Sequence, residues 1–273
     1  MKKLRNAALY FVGGILLIVA AFDIWGFLTL GTITPDPDAQ RVADGNRVVM
    51  VFGASGSVGD GLLKAAMEDP QVEKVHVVTR SMTPRIEEGA RSGEIILHRH
   101  LDYTNYEAIR PYLAEVNTVL WALGTSSLNV DDETYTLIHV DFPVAFTRTW
   151  LEERRRPPMS FHYVTGMGTD PEGGQHWARE KGRAERELAE MARGTGLRTF
   201  SYRSAFIRPT SEQANAFAYL GEILLAPGKL VITGRDLGRA MLEIGARTGE
   251  LENGTLLDNA DSIAYARLYN PGS

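Results

Sequence analysis

The chain has 273 residues, 44% hydrophobic and 23% charged, a length and composition that bury a full core without disulfide or metal staples. Its net charge of −5 supplies no basic field for nucleic acid. With no cysteine it has no disulfide, no thiolate nucleophile and no cysteine-ligated zinc.

Ala7 to Leu30 (AALYFVGGILLIVAAFDIWGFLTL) carries a single charge, Asp23. As a helix rising ~1.5 Å per residue it is roughly 36 Å long, enough to cross a ~30 Å hydrocarbon core. Lys2, Lys3 and Arg5 precede it, and Asp36 and Asp38 follow, a gradient that favours the N-terminus on the cytoplasmic side. The expectation is a single-pass membrane anchor over residues 1–31. The alternatives are a cleaved signal peptide ending near Val19-Ala20-Ala21 and a surface helix packed on its own domain. Thr34 to Asn46 holds turn formers without an apolar period, so residues 32–46 are expected as a linker and 47–273 as the folded domain.

From Arg47 onward, strand-like runs alternate with helix-like stretches. Strands are expected at Arg47–Phe52, Val75–Thr79, Glu94–His98, Thr118–Leu123, Phe161–Thr165 and Leu197–Tyr202. Helices are expected at Val58–Met67, Tyr106–Leu113, Glu133–Glu153 and Trp177–Ala192, with Pro143 near the start of the third or kinking it. This alternation predicts an α/β fold, a Rossmann-type doubly wound parallel sheet with helices on both faces. Near-continuous apolar strands such as VVMVF fit a sheet covered on both sides.

The first strand runs into Gly53-Ala54-Ser55-Gly56-Ser57-Val58-Gly59, and a helix follows. In that setting Gly53 permits the tight turn, Gly56 lets backbone approach a pyrophosphate, and Gly59 lets helix and strand pack closely. Gly53, Ser55, Gly56, Ser57, Val58 and Gly59 are therefore candidate dinucleotide-binding residues, with the helix N-terminus facing the phosphates. The second strand ends at Thr79-Arg80 without a carboxylate. An arginine there accommodates a 2′-phosphate, which favours NADP over NAD. The alternative is that Arg80 is one more solvated arginine.

On these residues the chain resembles the atypical short-chain dehydrogenase/reductases, in particular their NmrA-like and Tat-interactive-protein-like NAD(P)-binding branch, over roughly Arg47 to Ala246. The resemblance implies that Asp102 and Tyr103 contact the adenine. It implies that Leu123, Gly124 and Thr125 pass beneath the cofactor ribose, and that Tyr202-Arg203-Ser204-Ala205 lies beside the nicotinamide. It matches Val140-Asp141 to a position in the family's next helix, and Arg235-Asp236-Leu237 to the start of a helix near the substrate. Members use Tyr-x-x-x-Lys on a helix with a Ser or Thr at the preceding strand end. Here Lys181 and Thr165 match the lysine and the hydroxyl, but Trp177 stands in the tyrosine position. An indole N–H only donates and cannot act as that acid/base. Lys181 is otherwise an exposed helix lysine paired with Glu185.

His98 and His100 share one face of a strand but lack further ligands for a metal, and His176, beside Trp177, is a candidate substitute acid. The sequence thus predicts a membrane-anchored, NADP-binding oxidoreductase acting on a small carbonyl or alcohol, with Thr165 and Lys181 at the reacting end. The rival reading is a non-catalytic cofactor sensor or protein-interaction module at the membrane. The charge gradient puts the domain outside the cytoplasm, whereas an NADP site belongs inside. The cofactor decides for the cytoplasmic side.

Overall fold

The computed structural model describes residues 2–42, 44–247 and 249–270. A long helix, α1 (Lys2–Thr29), precedes the domain. Strand β1 (Val48–Phe52) leads through the glycine loop into α2 (Ser57–Glu68), then β2 (Lys74–Thr79), α3 (Pro84–Ser92) and β3 (Ile96–Arg99). A 3-10 turn (Glu107–Ile109) and α4 (Arg110–Leu113) lead to β4 (Thr118–Trp121). Next come α5 (Asp132–Thr136), a π-helical turn (Leu137–Asp141), α6 (Phe142–Glu153), β5 (Met159–Val164), α7 (His176–Ala192) and β6 (Leu197–Arg203). The C-terminal part holds β7 (Phe206–Arg208), α8 (Ala216–Leu225), β8 (Val231–Thr233), α9 (Gly234–Ala246), β9 (Thr255–Asp258) and α10 (Asn259–Leu268).

Seven strands form a parallel sheet in the order β3-β2-β1-β4-β5-β6-β9, and β7 and β8 form a separate parallel pair. The chain winds outward from β1 to β3, then crosses back to place β4 on the other side of β1. That reversal opens a crevice at the carboxyl ends of β1 and β4, where doubly wound sheets bind ligands. The two-residue side-chain period splits VVMVF between two cores. Met50 and Phe52 pack with Trp121, Phe146, Trp150 and Phe161 on one face. Val49 and Val51 pack with Leu62, Leu237, Met241 and Tyr265 on the other. Helices α2 and α9 approach closely because Gly61 meets Gly234, where a Cβ would come within 2.6 Å of the facing Cα.

The helix expected over Glu133–Glu153 is present as one continuous run over residues 132–153, with a single π turn (Leu137–Asp141) in its middle. Pro143 lies inside this continuous helix, and the His139 carbonyl, which loses its helical donor there, accepts the Tyr163 hydroxyl at 2.7 Å instead. The start expected near Arg235-Asp236-Leu237 belongs to α9, whose first residue, Gly234, packs against the Ser57–Val58 backbone of α2.

Leu9–Thr29 is long and apolar enough to cross a membrane, with a mean hydropathy of 2.2 in its most apolar window, and most of its side chains are exposed. Its C-terminal end is docked. Gly26 is buried against the Gly228 carbonyl, and Asp23 Oδ1 accepts the Gly228 N–H at 3.0 Å. Beyond the helix, residues 32–42 run along the domain surface, and Gly45 and Asn46 are buried just before β1. The Ile33 amide donates to Asp261 at 2.9 Å, and Arg41 Nη1 donates to both carboxylate oxygens of the buried Glu243 at 2.7 and 2.8 Å.

Candidate active site

The glycine loop divides its labour by position. Gly53 has φ +76°, and a Cβ there would lie 2.5 Å from the Ala122–Leu123 backbone. A Cβ on Gly59 would strike the Gly53 carbonyl oxygen. Both glycines are demanded by the fold. Gly56 differs: it is exposed, and a Cβ would find only the Gly53 oxygen at 3.4 Å, an ordinary contact. Gly56 caps α2 without any side chain, so the amides of Ser57, Val58 and Gly59 point outward without helical acceptors. Those donors and the positive helix end form an anion cradle.

A cleft of about 520 Å³ opens over this cradle, at the carboxyl ends of β1, β4, β5 and β6. Of the residues expected from sequence, Gly56, Ser57, Val58, Leu123, Gly124, Thr125, Thr165 and Lys181 line it. Gly53 and Gly59 lie beneath it, and Ser55 is a half-buried member of the same loop. Arg80 is exposed at the end of β2, its guanidinium 5.9 Å from the centre of the Tyr103 ring, and makes no ion pair within 4.0 Å among the described residues. Asp102 is exposed and accepts from the amide and hydroxyl of Thr104 at 2.9 and 2.6 Å, which lowers its pKa. Tyr103 is buried and stacked on Phe142 at 5.5 Å, and desolvation raises its phenol to about 12. These three residues sit beyond β1 on the β2–β3 side and are not part of the cleft lining.

Lys181 projects from α7 into the cleft, where Nζ donates to the Thr165 carbonyl at 2.6 Å. Burial lowers its pKa to about 8, against the opposing pull of Glu185. Glu185 is not the surface partner that its spacing implies. It is buried, accepts the Thr165 hydroxyl at 2.9 Å and is held by Arg203 at 2.6 and 3.1 Å. The Thr165 hydroxyl proton is therefore held inside the fold, by Glu185 and, at 3.3 Å, by the Tyr202 carbonyl. Trp177 does not line the cleft; its ring edge packs against Gly168. His176 lies 3.3 Å from Thr136 Oγ1 and 3.1 Å from the Asp132 carbonyl, in a separate depression, which removes it as substitute acid at this cleft. His98 Nε2 pairs with His76 Nδ1 at 2.9 Å near the sheet edge. No group of three or more metal-ligating side chains occurs among the described residues.

The sequence reading did not single out His139, and Ser204 entered it only within a matched segment. The π turn carries His139 into the cleft, where its ring lies under Gly124, with Nε2 3.1 Å from the Thr125 amide nitrogen and 2.9 Å from its carbonyl oxygen. Burial, with Lys181 nearby, lowers its pKa to about 4. His139 Nδ1 and Ser204 Oγ are buried without a hydrogen-bond partner among the described residues, and both residues line the cleft. An unmet buried polar group costs ~1–3 kcal/mol, which a polar ligand recovers. The free helix amides, the uncrowded Gly56 and these two unmet atoms fit a dinucleotide.

No family model matches the chain, and no curated protein matches it. Among solved structures it is similar to L-sorbose reductase from Gluconobacter frateurii, complexed with NADPH and L-sorbose, at TM-score 0.61 and 14% identity, covering 79% of this chain and 96% of that one. It is similar to 3-oxoacyl-acyl-carrier-protein reductase from Brucella melitensis, complexed with NAD, at TM-score 0.59 and 14% identity, covering 82% and 98%. A short-chain dehydrogenase/reductase from Serratia marcescens matches at TM-score 0.60 and 12% identity, covering 81% and 100%. The chain has the Rossmann-type fold of the short-chain dehydrogenase/reductases.

Proposed function

We propose that this protein is a membrane-anchored oxidoreductase that binds NADPH in preference to NADH and reduces a carbonyl compound, or oxidises the matching alcohol. Its affinities lie with the atypical, NmrA-like branch of the fold. The observation that carries the reading is the cleft at the sheet reversal, which joins free α2 amides at one end to Lys181 at the other. Ser57 and Val58 hold the pyrophosphate through backbone N–H groups, and Arg80, with no carboxylate within 4.0 Å among the described residues, takes the 2′-phosphate. Leu123, Gly124 and Thr125 lie beneath the ribose, Asp102 and Tyr103 flank the adenine side, and Lys181 holds the nicotinamide ribose. The domain stands on the cytoplasmic side, where NADPH is kept reduced.

When bound, the reduced nicotinamide supplies a hydride to the carbonyl carbon. The accompanying proton comes from this chain. His139 and Lys181 are the titratable residues lining the cleft, with pKa values of about 4 and about 8. At neutral pH His139 is neutral and Lys181 is charged, so Lys181 gives its proton to the substrate oxygen, leaving an alcohol and the oxidised cofactor. One ammonium proton binds the Thr165 carbonyl, and two remain for ligand. Ser204 and the free nitrogen of His139 orient polar groups of the ligand.

A second reading, a cofactor sensor without turnover, is favoured by Trp177 and by the engagement of the Thr165 hydroxyl with Glu185. Purified full-length protein is assayed for NADPH binding and for NADPH oxidation against a panel of aldehydes and ketones. Turnover supports the oxidoreductase. Saturable NADPH binding without turnover of any compound supports the sensor.

A further inference from the structure

A second cavity, about 500 Å³, lies between α1 and the loop after β5. Ala21, Phe22 and Trp25 of α1 form one wall, and Met167 and Gly168 form the other, with no charged side chain among them. Met167 also lines the cleft that holds Lys181, so the two cavities share that residue. The groove is fixed in place, because the Asp23–Gly228 hydrogen bond and the buried Gly26 hold α1 against the domain. Gly168, at φ +87°, lies against the Trp177 ring, with 3.3 Å between the ring and the position of a Cβ. The indole in the tyrosine position thus backs an apolar wall. Helix α8, in contact with α1, exposes Phe217, Leu220 and Ile223 at 82%, 51% and 72%. Apolar surface therefore continues sideways from α1, as expected of a helix resting in a membrane interface.

We propose that the substrate comes from the bilayer: its carbonyl or alcohol head enters the cleft at Lys181, and its hydrocarbon tail lies in the groove between Phe22, Trp25 and Met167. This rests on the oxidoreductase reading for the head group and on the membrane-anchor reading of α1 for the source of the tail, while the tail site itself stands on the groove. A water-soluble substrate would have no use for an uncharged groove walled by α1. The volume falls within the ~300–1,000 Å³ of small-molecule pockets, and burial of tail methylenes at ~0.8 kcal/mol each supplies affinity.

The full chain is placed in phosphatidylcholine nanodiscs with hexadecanol bearing a terminal diazirine, irradiated, and the labelled peptides are mapped by mass spectrometry. Label is expected on Met167–Gly168 and on Phe22–Trp25, suppressed by excess unlabelled hexadecanol, and reduced about tenfold on Met167 in Trp25→Ala. Label confined to the lipid-facing turns of α1, or label that the unlabelled alcohol does not displace, overturns the proposal. Displaceable label at Met167 in a protein that turns over no aldehyde of any chain length keeps the groove and discards the oxidoreductase. Turnover with no displaceable label at Met167 does the reverse.

Discussion

Gly56→Ala separates ligand binding from folding within one loop. Gly56 has φ −85° and ψ 163°, a conformation open to alanine. The added methyl meets nothing nearer than the Gly53 oxygen at 3.4 Å. Replacing glycine by alanine at a helix N-cap costs roughly 1 kcal/mol, and restricting the unfolded chain returns ~0.4–1 kcal/mol. Thermal stability should therefore move little. The methyl instead projects where a pyrophosphate must approach the α2 amides. Each amide bond to a charged oxygen is worth ~1.5–3 kcal/mol. Displacing the phosphate enough to lose one or two of them weakens NADPH binding about 100-fold. The assay is NADPH fluorescence titration beside a thermal melt, for unmodified protein and variant. Gly59→Ala is the contrast, since its methyl collides with the Gly53 carbonyl and should abolish folding. Unchanged NADPH affinity in a folded Gly56→Ala would refute the cradle.

Arg80→Ala should weaken NADPH binding by roughly 10- to 100-fold, the worth of a charge-assisted bond, and leave NADH binding unchanged; competition titration of the two cofactors reads this directly. Carbonyl reduction should fall as pH rises through about 8, where Lys181 loses its proton, and should stay flat between about pH 6 and 7 because His139 is already neutral; a pH–rate profile checks both limits. Glu243→Ala strips the shared partner from Arg41 and Arg247, a loss of ~3–5 kcal/mol for a buried pair. The expected fall in Tm is roughly 10 °C, with faster proteolysis around residue 41.

The sheet was legible because its strands are short apolar runs closed by turn residues, and a parallel sheet buried on both faces needs that composition. Val48–Phe52, Lys74–Thr79 and Met159–Val164 each lie within a residue or two of their expected bounds. The nucleotide end of the cleft was legible for a related reason, since a glycine signature has meaning between a strand and a helix. The reacting end was less so. His139 reaches the cleft through a π turn, a register shift that the 3.6-residue period does not encode. Glu185, spaced like a surface partner of Lys181, turns inward because Arg203 and the Thr165 hydroxyl, brought from other strands, supply its hydrogen bonds. Residues 32–46 lack periodicity, yet Arg41 finds Glu243, a contact distant in sequence that composition does not reveal.

Calorimetric titration of the detergent-solubilised full chain with NADPH tests the central claim most directly. One saturable site per chain, with binding lost in Gly56→Ala, is expected. An absence of heat with either NADPH or NADH, in protein that melts cooperatively, would contradict it.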